Sequence, residues 1–208
     1  VSHSIADDIL VALTHSVRIF SIGQVARGWF EDDTTEAAAF LDRLRRVNLV
    51  TFKTHLVHPE FDSLSATVSW EPGNLPPDFR RAAYWLRSRW KQPKEELPLV
   101  SASDNACRRY GGTNVCPRAS EMSHDLHMAS LFVAWRLNSL LDGFGVWRSG
   151  DWLRAQGLSR EFGKNVPDAA LLDGSLNVSH LIEGGGSYCV RKLQAIHQAY
   201  KSYPYSIY

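Results

Sequence analysis

Charge of one sign, cysteine and long apolar runs are all scarce in this 208-residue chain, and each shortage excludes something. Lys plus Arg number 23 against 22 Asp plus Glu, a net charge of +1. A uniformly basic coat is therefore excluded, and any nucleic-acid surface has to come from local clustering of cations. No apolar run approaches the ~18 residues that suggest a membrane span, so no membrane partner is expected. The three cysteines, Cys107, Cys116 and Cys189, cannot all pair with one another and do not read as a disulfide scaffold. A reducing cytoplasm is the simplest compartment. The opening Val1-Ser2-His3-Ser4 has neither a basic nor an apolar leader region, so no signal peptide is expected. The missing initial methionine leaves room for processing or truncation upstream. No internal repeat is present. With 44% hydrophobic and 22% charged residues, the composition is globular rather than fibrous or disordered.

One composition break stands out. Glu71-Pro72-Gly73-Asn74-Leu75-Pro76-Pro77 prevents a continuous helix or a central strand, and a domain boundary is expected at 72–77. Before it, Ile5, Ile9, Leu13 and Val17 share one helical face. Ser21 can cap a short helix with Val25, Ala26, Trp29 and Phe30. Asp33 and Glu36 have capping-box spacing ahead of a helix burying Ala37, Phe40, Leu41, Leu44 and Val47, with Asn48 as terminator. Leu49–Phe52 with Leu56–Val57 reads as extended, and Ala66–Trp70 as a second strand. Three helices followed by a β-hairpin is the order of a winged helix-turn-helix, expected over 1–71.

An α/β core is expected over 78–208. It opens with an arginine- and aromatic-rich helix at Asp78–Lys91. A loop over Gly111–Pro117 precedes a long helix over Ser120–Leu141, and a strand at Phe144–Arg148 follows an Asp142-Gly143 turn. Pro167–Leu172 and Leu176–Glu183 form a hairpin through Asp173-Gly174-Ser175. Gly184-Gly185-Gly186 leads into a helix over Ser187–Ser202.

Two chemistries compete for these residues. The third helix of a winged helix lies in the major groove, which puts Thr35, Ala39, Arg43 and Arg46 on the outward face, Arg being the commonest reader of guanine edges. Against this, Glu31-Asp32-Asp33 opens that helix with three acids that repel phosphate. The alternative is that the module packs on a partner. The second chemistry is a carboxylate site for Mg²⁺ on the hairpin, from Asp168 and Glu183, since Mg²⁺ takes oxygen ligands and activates water for phosphodiester hydrolysis. The nuclease pattern Asp-x(n)-Glu-x-Lys needs a lysine at position 185, which is glycine here; Lys192 or Arg191 would have to substitute. Strand-end acids are also ordinary structural residues. Three further features read more plainly as structure. Cys107, Cys116, His124 and His127 have a spacing too wide for a compact zinc knuckle. The triple glycine reads as a flexible turn, and the aromatics of Asp78–Lys91 as core more than as a stacking platform for single-stranded bases.

The sequence His124-Asp125-Leu126, then Trp147-Arg148-Ser149, Val166-Pro167-Asp168-Ala169 and Leu181-Ile182-Glu183, behind a winged helix, resembles the replication-relaxation family. The resemblance covers nearly the whole chain and is most specific over 120–202. It implies a winged helix fused to a restriction-endonuclease-like core of the PD-(D/E)xK type, in a bacterial DNA-associated protein of a plasmid or mobile element. The family's His-Asp pair falls on His124 and Asp125, its Pro-Asp on Pro167 and Asp168, and its strand-end acid on Glu183. The family usually carries another acid two residues later, where this chain has Gly185.

The expectation is a DNA-binding protein whose nuclease-like core is degenerate or conditionally active. The first alternative is a Mg²⁺-dependent nicking nuclease or relaxase in which Asp168 and Glu183 hold the ion and Asp125, His124 and Lys192 assist. The second is a protein-binding assembly or inhibitor module, partnered by another protein or by a second copy of the chain.

Overall fold

The computed structural model describes residues 4–60, 64–112, 117–137 and 145–208. Helix α1 (Ile5–Val11) starts where the Ser4 hydroxyl accepts from the Asp7 N–H, and it runs into a π-helical turn at Ala12–Ser16. Ile9, Leu13 and Val17 of the four-residue stripe are buried, while Ile5 is exposed. Strand β1 (Phe20–Ser21) leads directly into α2 (Ile22–Trp29). The turn between them is a full capping box: the Ser21 hydroxyl accepts from Gln24 N–H, and the Gln24 amide oxygen accepts from Ser21 N–H. Glu31 and Asp32 then take left-handed φ values of 49° and 68° to turn the chain. Helix α3 (Thr34–Arg46) follows, with both Thr35 and Glu36 N–H groups donating to the Asp33 carboxylate. It buries Ala37, Leu41 and Leu44, leaves Phe40 half-buried and leaves Val47 exposed. Asn48, at φ 56°, ends it.

Strand β2 (Val50–Val57) does not form the expected hairpin with the next extended run. That run, β3 (Val68–Trp70), belongs to a different sheet, and α4 (Phe79–Arg89) follows it. The partner of β2 is β4 (Glu95–Ala102), antiparallel and in register from Val50↔Ala102 to Val57↔Glu95. The match is one of length: two eight-residue strands satisfy each other along their whole run, which the three-residue β3 cannot do. On its other edge β4 takes β1, pairing Phe20↔Val100 and Ser21↔Leu99. Pro98, with no N–H to donate, lies just past this pairing. Helices α5 (Asp104–Tyr110) and α6 (Met122–Arg136) complete the region. Helix α6 is buried on nearly every side, consistent with its mostly apolar sequence.

The chain therefore divides into two discontinuous compact units: Val1–Glu60 with Pro93–Gly143, and Phe61–Gln92 with Phe144–Tyr208. This corrects the expected boundary. The proline-rich segment 72–77 connects β3 to α4 inside the second unit, and α6, expected in the C-terminal core, lies in the first. The reason is non-local pairing: β4 returns to β2 across the whole β3–α4 excursion. The expected Asp142-Gly143 turn lies outside the described residues.

The second unit is built on a five-stranded sheet. Its further elements are β5 (Val146–Ser149), α7 (Gly150–Ala155), a 3-10 turn at Leu158–Phe162, β6 (Ala169–Leu172), β7 (Val178–Glu183), α8 (Val190–Tyr200) and β8 (Tyr205–Ile207). The strand order is β3-β8-β7-β6-β5. β5, β6 and β7 form an antiparallel meander, β8 lies parallel to β7 after the α8 crossover, and β3 closes the edge antiparallel to β8. The β6–β7 turn forms where expected, with the Asp173 carboxylate accepting from the Ser175 and Asn177 N–H groups. Those bonds hold the Asp173 carboxyl below the usual carboxylate range. The core joins Trp70, Leu86, Leu172, Leu181, Leu193, Ile196, Tyr200 and Tyr205. Trp70 stacks on Tyr205 at 5.5 Å and meets His197 edge-on at 5.0 Å. Among the described residues, no helix is long and apolar enough to cross a membrane.

Candidate functional site

The β6–β7 pairing decides where the expected hairpin carboxylates lie. Ala169 is paired with Ile182, so the next pair outward along this register is Asp168 with Glu183. The two acids do come together. Gly184 N–H donates to Asp168 Oδ2 at 2.8 Å, tying the residue after one acid to the carboxylate of the other.

The surroundings of Glu183 differ from the expected metal site. Glu183 is 4% exposed. Its Oε1 accepts from the Tyr188 hydroxyl at 2.8 Å, and its Oε2 accepts from the Tyr200 hydroxyl at 2.7 Å. Tyr188 sits just ahead of α8 and Tyr200 at its last turn, so one helix and its leader deliver both phenols. Burial, and then the negative charges of Glu183 and Asp168, push both phenols well above their usual range. Each phenol therefore stays neutral and keeps donating. Helical periodicity places Tyr200 on the apolar face of its helix and gives Tyr188 no role. The only signal in the sequence is a tyrosine, rather than a phenylalanine, at a core position near an acid.

Gly185 is not a loose link. It adopts φ 43°, and a β-carbon there would overlap the Tyr208 carbonyl oxygen and the Leu86 side chain. Its carbonyl accepts from the Trp90 indole N–H at 3.1 Å. The position that a catalytic lysine occupies in the nuclease pattern thus has no room for any side chain. The expected looseness of the glycine run is corrected by these close approaches.

Lys192 lies near this cluster but is turned to another partner. Its Nζ donates to Asn165 Oδ1 at 3.1 Å and lies 5.6 Å from the centre of the Tyr188 ring. Asp125 and His124 are on α6 in the first unit. Asp125 Oδ1 accepts from Arg18 Nη2 at 2.7 Å and lies 3.4 Å from His124 Nδ1. Arg18 also reaches Glu121 at 3.2 Å. Asp125 is thus engaged in an ion pair within the first unit.

Mg²⁺ needs several oxygen lone pairs directed at one point. Here both oxygens of Glu183 receive phenol protons and one oxygen of Asp168 receives a backbone N–H. Among the described residues, no group of three or more His, Cys, Asp or Glu side chains could hold a metal ion. These hydrogen bonds compete with Mg²⁺ for the oxygens of both acids. Of the weighed zinc ligands, Cys107 and His127 are buried, and Cys116 lies outside the described residues.

In the first unit, Thr35, Ala39, Arg43 and Arg46 are all exposed along α3. Arg45 and Arg46 both close on Asp42, at 2.7 and 2.8 Å, and depress its carboxyl. Arg43 lies over the Phe40 ring at 5.3 Å. The last turn of α3 thus presents three guanidinium groups against one acid. Arg27 approaches Asp32 at 3.9 Å and Glu60 at 3.4 Å, which offsets part of the acidic run ahead of α3.

Comparison with protein-family models, curated proteins and solved structures finds no match to this chain.

Proposed function

We propose that this protein binds duplex DNA through its first unit and that its second unit is a nuclease-like core that does not cleave. The observation that carries the binding half is the exposed arginines in the last turn of α3. The element order supports a winged helix: helix, short strand, two helices, then two long strands, with β1 added to the outer edge of β4. In that reading α3 is the recognition helix, Arg43 and Arg46 reach base edges or phosphates, and Thr35 adds a hydroxyl near the start of the helix. The wing position between β2 and β4 carries the β3–α4 excursion. The order of the second sheet, a meander of three strands followed by a helix and a parallel fourth, supports the restriction-endonuclease-like reading, with Asp168 and Glu183 at the positions of its acids. The resemblance to the replication-relaxation family points to the same pair of modules and to a plasmid or mobile-element setting.

The alternative, a Mg²⁺-dependent nicking enzyme, is favoured by one observation: Asp168, just ahead of β6, lies one register step beyond the Ala169–Ile182 pair, next to Glu183 at the end of β7. The phenol-bound state of Glu183 argues against it.

Fluorescence anisotropy on a labelled duplex library at two salt concentrations, with and without Mg²⁺, tests the binding reading. Arg43→Ala with Arg46→Ala is expected to weaken binding by about 1–3 kcal/mol for each arginine that reads a base, and to flatten the salt dependence. Unchanged affinity in the double variant contradicts it.

A further inference from the structure

Periodicity favours a core role for the aromatics of Asp78–Lys91, and two of them are instead exposed. Tyr84 is 67% and Trp85 51% exposed, with their rings edge-to-face at 5.5 Å. Helix α4 buries Ala82, Ala83 and Leu86, packs Phe79 against the core and half-buries Ser88 and Arg89, while Arg80, Arg81, Tyr84, Trp85 and Arg87 are exposed. Two rows of side chains run along the helix. Arg81, Trp85 and Arg89 follow one another at four-residue spacing, and Arg80, Tyr84 and Arg87 run alongside. Between Phe79 and Arg89 there are four arginines and no acid. The nearest acid, Asp78, is engaged as the helix cap by the N–H groups of Arg80 and Arg81.

Beside Trp85 the helix faces a groove of about 500 Å³, lined by Ser65, Thr67 and Ser69 together with Asp78, Arg81 and Arg89. Arg89 fixes part of that lining: its Nη2 donates to the Thr67 hydroxyl at 2.7 Å and to the Ser65 carbonyl at 3.2 Å. Neither Arg80 nor Arg81 has an ion-pair partner among the described residues. An exposed indole and phenol interleaved with guanidinium groups, beside a hydroxyl-lined groove, suit one class of ligand well. Unstacked bases lie on aromatic faces, and the phosphates between them pair with arginine.

We infer that the α4 face of the second unit is a binding site for single-stranded nucleic acid, with a base stacked on Trp85 and flanking phosphates held by Arg80 and Arg81. An acidic protein segment would satisfy the arginines but would leave the two rings without a role. A duplex keeps its bases stacked internally and offers no free face to Trp85. The site is distinct from the duplex surface proposed on α3 and does not depend on it.

The test is anisotropy of a fluorescein-labelled oligo-dT of about twelve nucleotides with the full chain, within the usual site sizes for such surfaces. Trp85→Ala is expected to weaken binding about tenfold, in the range seen for removal of one stacking ring. Trp85→Phe, which keeps a ring, should restore most of the affinity. Arg80→Ala with Arg81→Ala should weaken binding and lower its salt dependence. All of these effects should persist in the Arg43→Ala, Arg46→Ala background, which separates this site from the α3 surface. Circular dichroism at the working temperature checks that each variant is folded, and quenching of tryptophan emission by oligo-dT in the unmodified chain gives a second readout, expected to fall in Trp85→Phe. The inference is overturned if the chain does not bind oligo-dT. It is also overturned if Trp85→Ala binds as the unmodified chain does, or if polyglutamate competes as well as oligo-dT does.

Discussion

Each unit buries a carboxylate, and the two are stabilised by different means. In the first, Asp125 is 4% exposed and meets a cation, Arg18, at 2.7 Å. In the second, Glu183 is equally buried and meets two neutral phenols, one on each oxygen. A buried ion pair depends on both members, because removing one strands the charge of the other. Phenol donors instead act as oriented dipoles. They fix the direction of the carboxylate, and each takes up one lone pair on one of its oxygens. The same acid on a strand end can therefore be a ligand in one protein and a structural residue in another. The residues that decide between these roles come from the following helix.

The largest effect expected from this contrast is in the first unit. Arg18→Ala should cost up to about 3 kcal/mol in urea unfolding, since it leaves the buried Asp125 without its cation, although Arg18 itself is partly exposed. Replacing Arg18 and Asp125 together by apolar residues of similar size should recover most of that stability. If the double variant is as unstable as the single one, Asp125 is held by something other than the ion pair.

The second unit should respond less to removal of a single donor. Tyr200→Phe removes the proton donated to Glu183 Oε2, and a cost of about 1–3 kcal/mol is expected, the range for a buried polar group deprived of its hydrogen bond. Tyr188 is less buried than Tyr200, so Tyr188→Phe should cost less, because water can replace its hydroxyl more readily. Equal costs in the two variants would contradict this ranking.

The smallest effect is one of pH. His180 on β7 also pairs with a neutral group, the Ser206 hydroxyl at 3.0 Å, and burial pushes its imidazole down from 6.5 to about 4. Unfolded chain then takes up the proton first as acid is added. This contribution is complete above about pH 6.5 and is lost as pH falls from 6.5 toward 4. Because the side chain is partly exposed, on the order of 1 kcal/mol is expected. Urea midpoints at pH 7 and 4.5 should differ less in His180→Gln than in the unmodified chain.

Local signals in the sequence are reliable where the physics is local. The Ser21 and Asp33 caps, the Asn48 stop and the Asp173 turn all depend on residues within four positions of one another, and each forms. The facing of Asp168 and Glu183 is legible for the same reason, since a short turn sets its register. What is not legible depends on distant chain segments. No pattern in β2 announces that its partner lies beyond β3 and α4, and nothing in α6 assigns it to the first unit. Tyr188 and Tyr200 reach Glu183 only because α8 crosses over the sheet to β8. Gly185 looks in the sequence like a missing lysine, and the reason for it, the Tyr208 carbonyl and Leu86, comes from the chain end and from α4.

The claim at the centre is that the carboxylates of the second unit are structural and the core is silent. Nicking of supercoiled plasmid and of single-stranded DNA by the full chain, with Mg²⁺ or Mn²⁺, tests it most directly. The expected result is no metal-dependent cleavage above that of Glu183→Ala, and no gain in Tyr188→Phe or Tyr200→Phe. Robust metal-dependent turnover by the unmodified chain that disappears in Glu183→Ala would contradict it and would make Asp168 and Glu183 metal ligands after all.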